Sequence, residues 1–298
     1  NIRGLSNNRI LMQQDGIRLP AGFYAVGYDY SNGNVVDYYS LKTIDVLKGP
    51  ASVLYGSDAL GGVISFNSLK AEDVLKDNES FRIEIPFDYN GSNKGVSGAF
   101  RVAHDDVESG ISFLTVISSA ESDEVTPKGA EDQYINEADI KTKSIYLNIE
   151  KKFNQSNKIG FLLDKYQRDT KTVRADGNLA TGYLSQHSSV EINKYRYVIS
   201  WDYLSKDENP LFESIKAKGF YQNHHTADLW QEIQDVRGLY SRPVTSDYNL
   251  YDQSYGVDFQ FGSSIESHLI TYGIDYSLTK NQYHQDKYTS TYGVISRQ

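Results

Sequence analysis

The chain has 298 residues, 39 acidic against 30 basic, for a net charge of −9. The absence of cysteine excludes disulfides and thiolate metal sites, and the acidic balance argues against an electrostatic nucleic-acid binder, which carries a basic patch. Mean hydropathy is −0.53 and no run of about 18 apolar residues exists for a transmembrane helix, but transmembrane strands need only about 9–11 alternating residues. The 24 tyrosines fit the aromatic girdles of a membrane barrel, although soluble β-proteins are also rich in tyrosine.

Residues 1–68 form the first unit. Ile2-Arg3-Gly4 stands near the start, and weak alternation from Asn1 ends at an Asp15-Gly16 turn. Arg18 to Asn34 has the Gly, Tyr, Asn and Ser content of a loop and carries Tyr24, Tyr28 and Tyr30. Leu41 to Ser68 reads LKTIDVLKGPASVLYGSDALGGVISFNS. Its pattern predicts a strand through Ile44 and Val46, a turn at Lys48-Gly49-Pro50 and one or two helical turns from Ala51 to Tyr55. A return strand follows from Val63 to Phe66, after the turns marked by Gly56, Gly61 and Gly62. Pro50 sits where a first helical turn tolerates a missing N–H, and the glycines mark tight turns or close backbone approach. Residues 69–79, LKAEDVLKDNE, are charged and read as a linker.

The stretch from Leu41 to Ser68, with Ile2-Arg3-Gly4 and Asp15-Gly16 upstream, resembles the plug domain of TonB-dependent outer-membrane receptors. The residues that match are Asp45, Val46, Leu47, Lys48, Gly49, Pro50, Leu54, Tyr55, Gly56, Gly61, Gly62, Val63 and Ile64. The resemblance implies that the loop holding Tyr24, Tyr28 and Tyr30 forms the outward-facing apex of the plug. It also implies that the chain is part of a longer receptor. The signal, the TonB box, the first half of the plug and most of the barrel would lie outside it.

From Ser80 onward the period is two. Phe81, Ile83, Ile85, Phe87 and Tyr89 alternate with Arg82, Glu84 and Asp88, giving a strand with one oily and one wet face. The pattern recurs at 145–149, 159–163, 195–203, 255–261 and 270–278, and less regularly at 98–104, 111–119 and 215–223: nine strands. Short links near 104–110, 154–157, 205–213 and 262–267 alternate with long ones near 121–143, 169–193 and 227–252. Short periplasmic turns and long external loops are the habit of outer-membrane barrels. The expected fold is therefore a partial all-β transmembrane barrel of about nine antiparallel strands (80–298), preceded by the C-terminal half of a small α+β plug domain (1–68) and a linker (69–79). Such a barrel turns its apolar set to lipid and its polar set to the lumen. A soluble β-fold does the reverse.

No enzyme motif is present: there is no cysteine nucleophile, GxSxG, HExxH or P-loop spacing. If the first barrel strand runs outward, His104 and His268 fall at periplasmic turns. His187 then falls in a long external loop, and His224, His225 and His284 lie near outer strand ends. His224 shares parity with Lys216, Lys218 and Gln222 and should face the lumen, with His225 facing outward.

Among these receptors the chain is most similar to the haem and haemoglobin branch, through YGSDALGGVISFNSLKAEDVL and HLITYGIDYSLTKN. That branch often uses a plug-apex histidine as a haem ligand. Residues 1–68 contain none, which leaves Tyr28 or Tyr30 as substitutes. The resemblance thus implies no intrinsic cofactor and a transported ligand of haem or a ferric chelate, with siderophore and cobalamin as alternatives. It implies TonB (with ExbB and ExbD) and outer-membrane lipid as partners. A passive porin or adhesin-like barrel is the reading from another class. The family pairs basic plug residues with wall carboxylates, so Arg3 and Lys48 are expected to meet Glu84 and Glu150.

Overall fold

The computed structural model describes residues 10–20, 35–51, 55, 59–123, 137–174, 183–206, 212–236, 240–265, 268–291 and 294–297. Four strands form a small sheet: β1 (Ile10–Gln14), β2 (Ile17–Arg18), β3 (Leu41–Lys48) and β4 (Gly62–Ser68), in the order β2-β1-β4-β3. β1 and β4 run parallel and β3 and β4 antiparallel. The β1–β2 turn places Asp15 at φ 53° and Gly16 at φ 77°, the left-handed region open to glycine and tolerated by aspartate. The strand–turn–strand expected over 41–68 is present as β3 and β4. Its base is closed by Gly49 N–H on Gly61 O (3.2 Å) and Ala51 N–H on Ala59 O (2.9 Å). Tyr55 N–H donates to Ala51 O at 3.0 Å, and residues 52–54 of the expected helical turn lie outside the described residues. A short helix, α1 (Ala71–Val74), lies in the segment that leads on to the large sheet.

That sheet has eleven antiparallel strands. In chain order they are β5 (Phe81–Glu84), β6 (Phe87–Asn90), β7 (Gly95–Asp106), β8 (Ile111–Asp123), β9 (Glu137–Lys152) and β10 (Asn157–Arg174). Then come β11 (Tyr183–Leu204), β12 (Ser214–Val236), β13 (Tyr240–Ile265), β14 (His268–Thr291) and β15 (Val294–Arg297). Each pairs with its neighbour in sequence except β5 and β6, which both lie on β7. Among the described residues the sheet stays open between β5 and β15.

Two differences from the expected nine strands have clear causes. The first expected strand is broken at Ile85-Pro86. Proline has no N–H for the ladder, and only the Pro86 carbonyl is used, accepting from Ala99 N–H at 3.0 Å. The short β15, paired with the end of β14, is additional. The stretches 169–193 and 227–252 are mostly strand rather than loop: β12 and β13 run 23 and 26 residues, and residues 237–239 separate them. At about 3.3 Å per residue these strands far outreach the 9–11 residues a bilayer requires. Beyond the bilayer neither face sees lipid, so the oily–wet contrast that reveals a strand in sequence disappears.

Burial settles the polarity of the two faces. On β11, Lys194 and Arg196 are 0% exposed, whereas Tyr197 and Ile199, one step out of phase, are 39% and 63% exposed. Ile117, Ile145, Ile159, Tyr221, Tyr255, Val257, Ile274 and Tyr276 are likewise exposed. They continue the apolar outer belt across β8 to β14. Charge inside and oil outside is the arrangement of a membrane barrel wall.

The small sheet packs against the inner face of the large one. Ile17, Tyr39, Leu69, Ala71 and Val74 join the wall residues Ala99, Ala103, Leu114, Val116, Tyr146, Leu162 and Val198 in one buried cluster. A second cluster sets Leu19, Val35, Val36 and Phe66 on Tyr166.

The belt makes a specific demand. Ile199→Arg should cost about 2–4 kcal/mol near the bilayer midplane, measured by urea unfolding in liposomes. An exposed site facing water would change by no more than about 0.5 kcal/mol.

Candidate functional site

The polar contacts concentrate where the small sheet meets the wall. β11 runs between β10 and β12, and its even-numbered residues point at the β1–β2 turn. Arg196 Nη1 donates to the Gln14 carbonyl at 2.9 Å, and Nη2 lies 2.9 Å from Asp15 Oδ2 and 3.3 Å from Asp164 Oδ2. Lys194 Nζ is 3.0 Å from Asp164 Oδ2 and donates to Gln14 Oε1 at 3.1 Å. From β12, Lys218 Nζ donates to the Asp15 carbonyl (2.6 Å) and Gln222 Nε2 to the Arg18 carbonyl (3.3 Å). Asp15 is held from behind by the Ser68 N–H and hydroxyl, each at 2.8 Å. The Asp-Gly turn is thus an anion and two carbonyls presented to a basic wall.

Two further contacts flank this one. Asp37 opens a single 3-10 turn at Tyr38–Ser40 and accepts the Tyr39 N–H at 3.1 Å. Its other oxygen takes the hydroxyls of Ser118 (2.9 Å) and Ser144 (2.5 Å), which face it from β8 and β9. Arg101 of β7 forks onto the Tyr39 carbonyl at 3.1 and 2.7 Å and reaches Glu84 at 3.3 Å. The Tyr39 phenol donates to Asp88 at 2.7 Å, and burial holds its pKa well above the ordinary tyrosine range. Nearer the other end, Tyr146 donates to the Leu69 carbonyl at 2.7 Å, and Lys70 pairs with Glu150 at 2.8 Å. Burial works against the Lys70 ammonium, but the hydrogen bond and charge of Glu150 outweigh it and raise its pKa.

The expected residues fall as follows. Arg3, Gly4, Tyr24, Tyr28, Tyr30 and Gly56 lie outside the described residues. Lys48 ends β3 and is exposed. It does not meet the expected carboxylates: Glu84 faces Arg82 and Arg101, and Glu150 faces Lys70 and Lys158. The described contacts have mainly the opposite sense, with plug carboxylates Asp15 and Asp37 seated on wall donors. A plug β-turn offers carbonyl oxygens at its bend, so a cationic wall matches its dipoles as well as its charge.

His224 is 5% exposed and points inward, as its parity with Lys218 and Gln222 requires, and its Nδ1 has no hydrogen-bond partner. His225 points outward and stacks on Tyr251 with ring centroids 4.3 Å apart. His187 belongs to β11 rather than to a loop. It is exposed, out of phase with inward Ser188 and Val190, so it does not face the lumen as a loop ligand would. Asp37, Asp164, Lys194 and Arg196 were not anticipated. For Lys194 and Arg196 the available signal was their alternation with Tyr195 and Tyr197 of the outward aromatic row.

Residues 1–63 match the family model described as the TonB-dependent Receptor Plug Domain. The whole fold is similar to the FrpB iron transporter from Neisseria meningitidis, with a TM-score of 0.62 at 13% identity, over 96% of this chain and 55% of that one. Residues 1–63 thus carry the plug of TonB-dependent receptors, and the fold of the chain is that of such a plug with its barrel wall. A mutant ferric enterobactin receptor (PfeA) from Pseudomonas aeruginosa has the same fold, with a TM-score of 0.57 at 12% identity, over 97% of this chain and 52% of that receptor. In sequence, 93 residues are 38% identical to the heme/hemopexin utilization protein C of Haemophilus influenzae, 31% of this chain and 12% of that protein. The vitamin B12 transporter BtuB of Vibrio vulnificus is 33% identical over 64 residues, 22% of this chain and 10% of that protein. The chain thus spans about half the length of these solved receptors, and the matched stretches a tenth or so of the curated relatives. The small sheet is the plug and the large one the barrel wall.

The contact between plug turn and wall is testable by a double-mutant cycle. Asp15→Asn and Arg196→Gln should each destabilise the plug, because removing one partner leaves a buried charge uncompensated. Combined, they should depart from additivity by about 0.5–3 kcal/mol, read from plug unfolding in detergent; additive losses would make the pair incidental.

Proposed function

We propose that this chain supplies the second half of the plug (1–68), the linker (69–79) and the first barrel strands (80–298) of an outer-membrane active transporter. Its ligand would be iron-bearing, with haem or haem released from a haemoprotein as the first candidate. The carrying observation is the plug carboxylate Asp15 seated on buried Arg196. A polar seat suits a plug that has to move. Its hydrogen bonds can be exchanged for water, and they stand beside the two apolar clusters that also hold the plug to the wall. Energy for the movement would come from TonB, with ExbB and ExbD, and the barrel would sit in the lipid of a Gram-negative outer membrane. A passive porin or adhesin-like barrel has no use for such a seat.

The haem reading draws on the similarity to the heme/hemopexin utilization protein C of Haemophilus influenzae and on the chemistry of the inward-facing groups. Iron in haem accepts imidazole or phenolate. His224 is an inward imidazole on the wall, and Tyr24, Tyr28 and Tyr30 are the phenols of the plug loop. His187 is a poor second ligand. It lies seven residues along β11 from Lys194, the cross-strand partner of His224, which is about 23 Å at strand rise. The protein needs no cofactor of its own, and a ferric siderophore or cobalamin is the alternative cargo.

Haem titration of the native protein in detergent should give a saturable, stoichiometric shift of the Soret band. Tyr28→Phe, Tyr30→Phe or His224→Gln should weaken it if the haem sits between plug apex and wall. No shift at micromolar haem would move the assignment to a ferric siderophore. Uptake that persists without TonB would sink the active-transport reading.

A further inference from the structure

A cavity of about 220 Å³ opens between plug and wall beside the Asp37 contact, lined by Val36, Asp37, Tyr39, Thr142, Tyr166 and Arg168 among others. Its wall side is two rows of the sheet. Ser118, Ser144 and Tyr166 are cross-strand neighbours in one row, and Ala120, Thr142 and Arg168 in the next. The second row is nearer the ends of β8, β9 and β10 that lead to residues 124–136 and 175–182, the side that the family resemblance assigns to the exterior.

The charges in this cavity are unequally served. Asp37 already receives two hydroxyls and a backbone N–H. Arg168 has no carboxylate within 4.0 Å among the described residues, and its Nε is buried with no hydrogen-bond partner. Its inward cross-strand neighbours, Thr142 and Ile192, carry no charge. A partly buried guanidinium without a counter-charge is costly, and its planar fork matches a carboxylate in bidentate geometry. The cavity is large enough for a carboxylate with a few carbons attached and too small for a macrocycle.

We propose that Arg168, with the hydroxyls of Thr142 and Tyr166 beside it, is a carboxylate-binding subsite in the crevice between plug and wall. It would take either a free small carboxylate or a carboxylate arm of the imported ligand. The second source rests on the transport reading given above, while the first does not.

The test uses the native protein in detergent and two probes. Citrate, followed by titration calorimetry, should bind saturably. Arg168→Gln should weaken it at least tenfold, Arg168→Lys should weaken it less, and the exposed Lys171→Gln on the same strand should leave it unchanged. Absence of saturable citrate binding, or equal affinity in Arg168→Gln, would overturn the proposal. Haem and its dimethyl ester form the second pair. If esterification and Arg168→Gln weaken haem binding by the same factor, without compounding, the ligand's own carboxylate uses the site. If haem is indifferent to Arg168 while citrate depends on it, the site serves a free carboxylate. If haem fails to bind but citrate still depends on Arg168, the haem reading falls and the subsite stands.

Discussion

The contact on which the rest depends is the one between the Asp15-Gly16 turn and Arg196. Arg196 and Lys194 are wholly buried, and a bare guanidinium or ammonium at that depth would be prohibitive. Asp164, from the neighbouring strand, offsets part of their charge. Asp15 and the Gln14 carbonyl supply the remainder from the plug. Wall and plug are therefore each incomplete: the wall carries charge that only the plug turn balances, and the turn carries carbonyls that only the wall satisfies.

This inside polarity also explains the outside. A two-residue period leaves each strand one face for each environment, so charge committed inward obliges the alternate residues to be apolar and to meet lipid. The same strands are then read differently along their length. Near the middle of β11, Tyr197, Ile199 and Trp201 alternate with Arg196, Val198 and Ser200. Towards its other end Ser188, Ser189 and Glu191 carry no such contrast, although the ladder to β12 continues through them. Local packing follows the same logic at Gly256, where a side chain would strike the Tyr276 carbonyl (2.5 Å) and the Phe220 ring (2.8 Å). The missing side chain leaves Phe220 room beside the cluster that seats the plug.

Much of the molecule was readable because its signals are local. Lys48-Gly49-Pro50 and Gly61-Gly62 mark the turns that β3 and β4 display, and Asp15-Gly16 marks the bend that meets the wall. Strand phase was also readable: parity alone places His224 inward and His225 outward, as observed. The break at Pro86 also has a local signal, a residue with no N–H set inside a regular alternation. The polarity of the plug contacts was not legible. Asp15 lies 181 positions from Arg196, and Asp37 lies 81 and 107 positions from Ser118 and Ser144.

The sequence by itself determined the class of this protein, the turns of its plug and the two faces of each barrel strand. Those properties follow from backbone conformation and a two-residue period, which neighbours along the chain impose. The tertiary structure alone decided that Asp15, and not Lys48, meets the wall, that His187 faces away from the lumen, and that Arg168 stands without a counter-charge among the described residues. Each of these depends on strand register and on how deeply the plug sits, and both are set by packing between residues far apart in the chain.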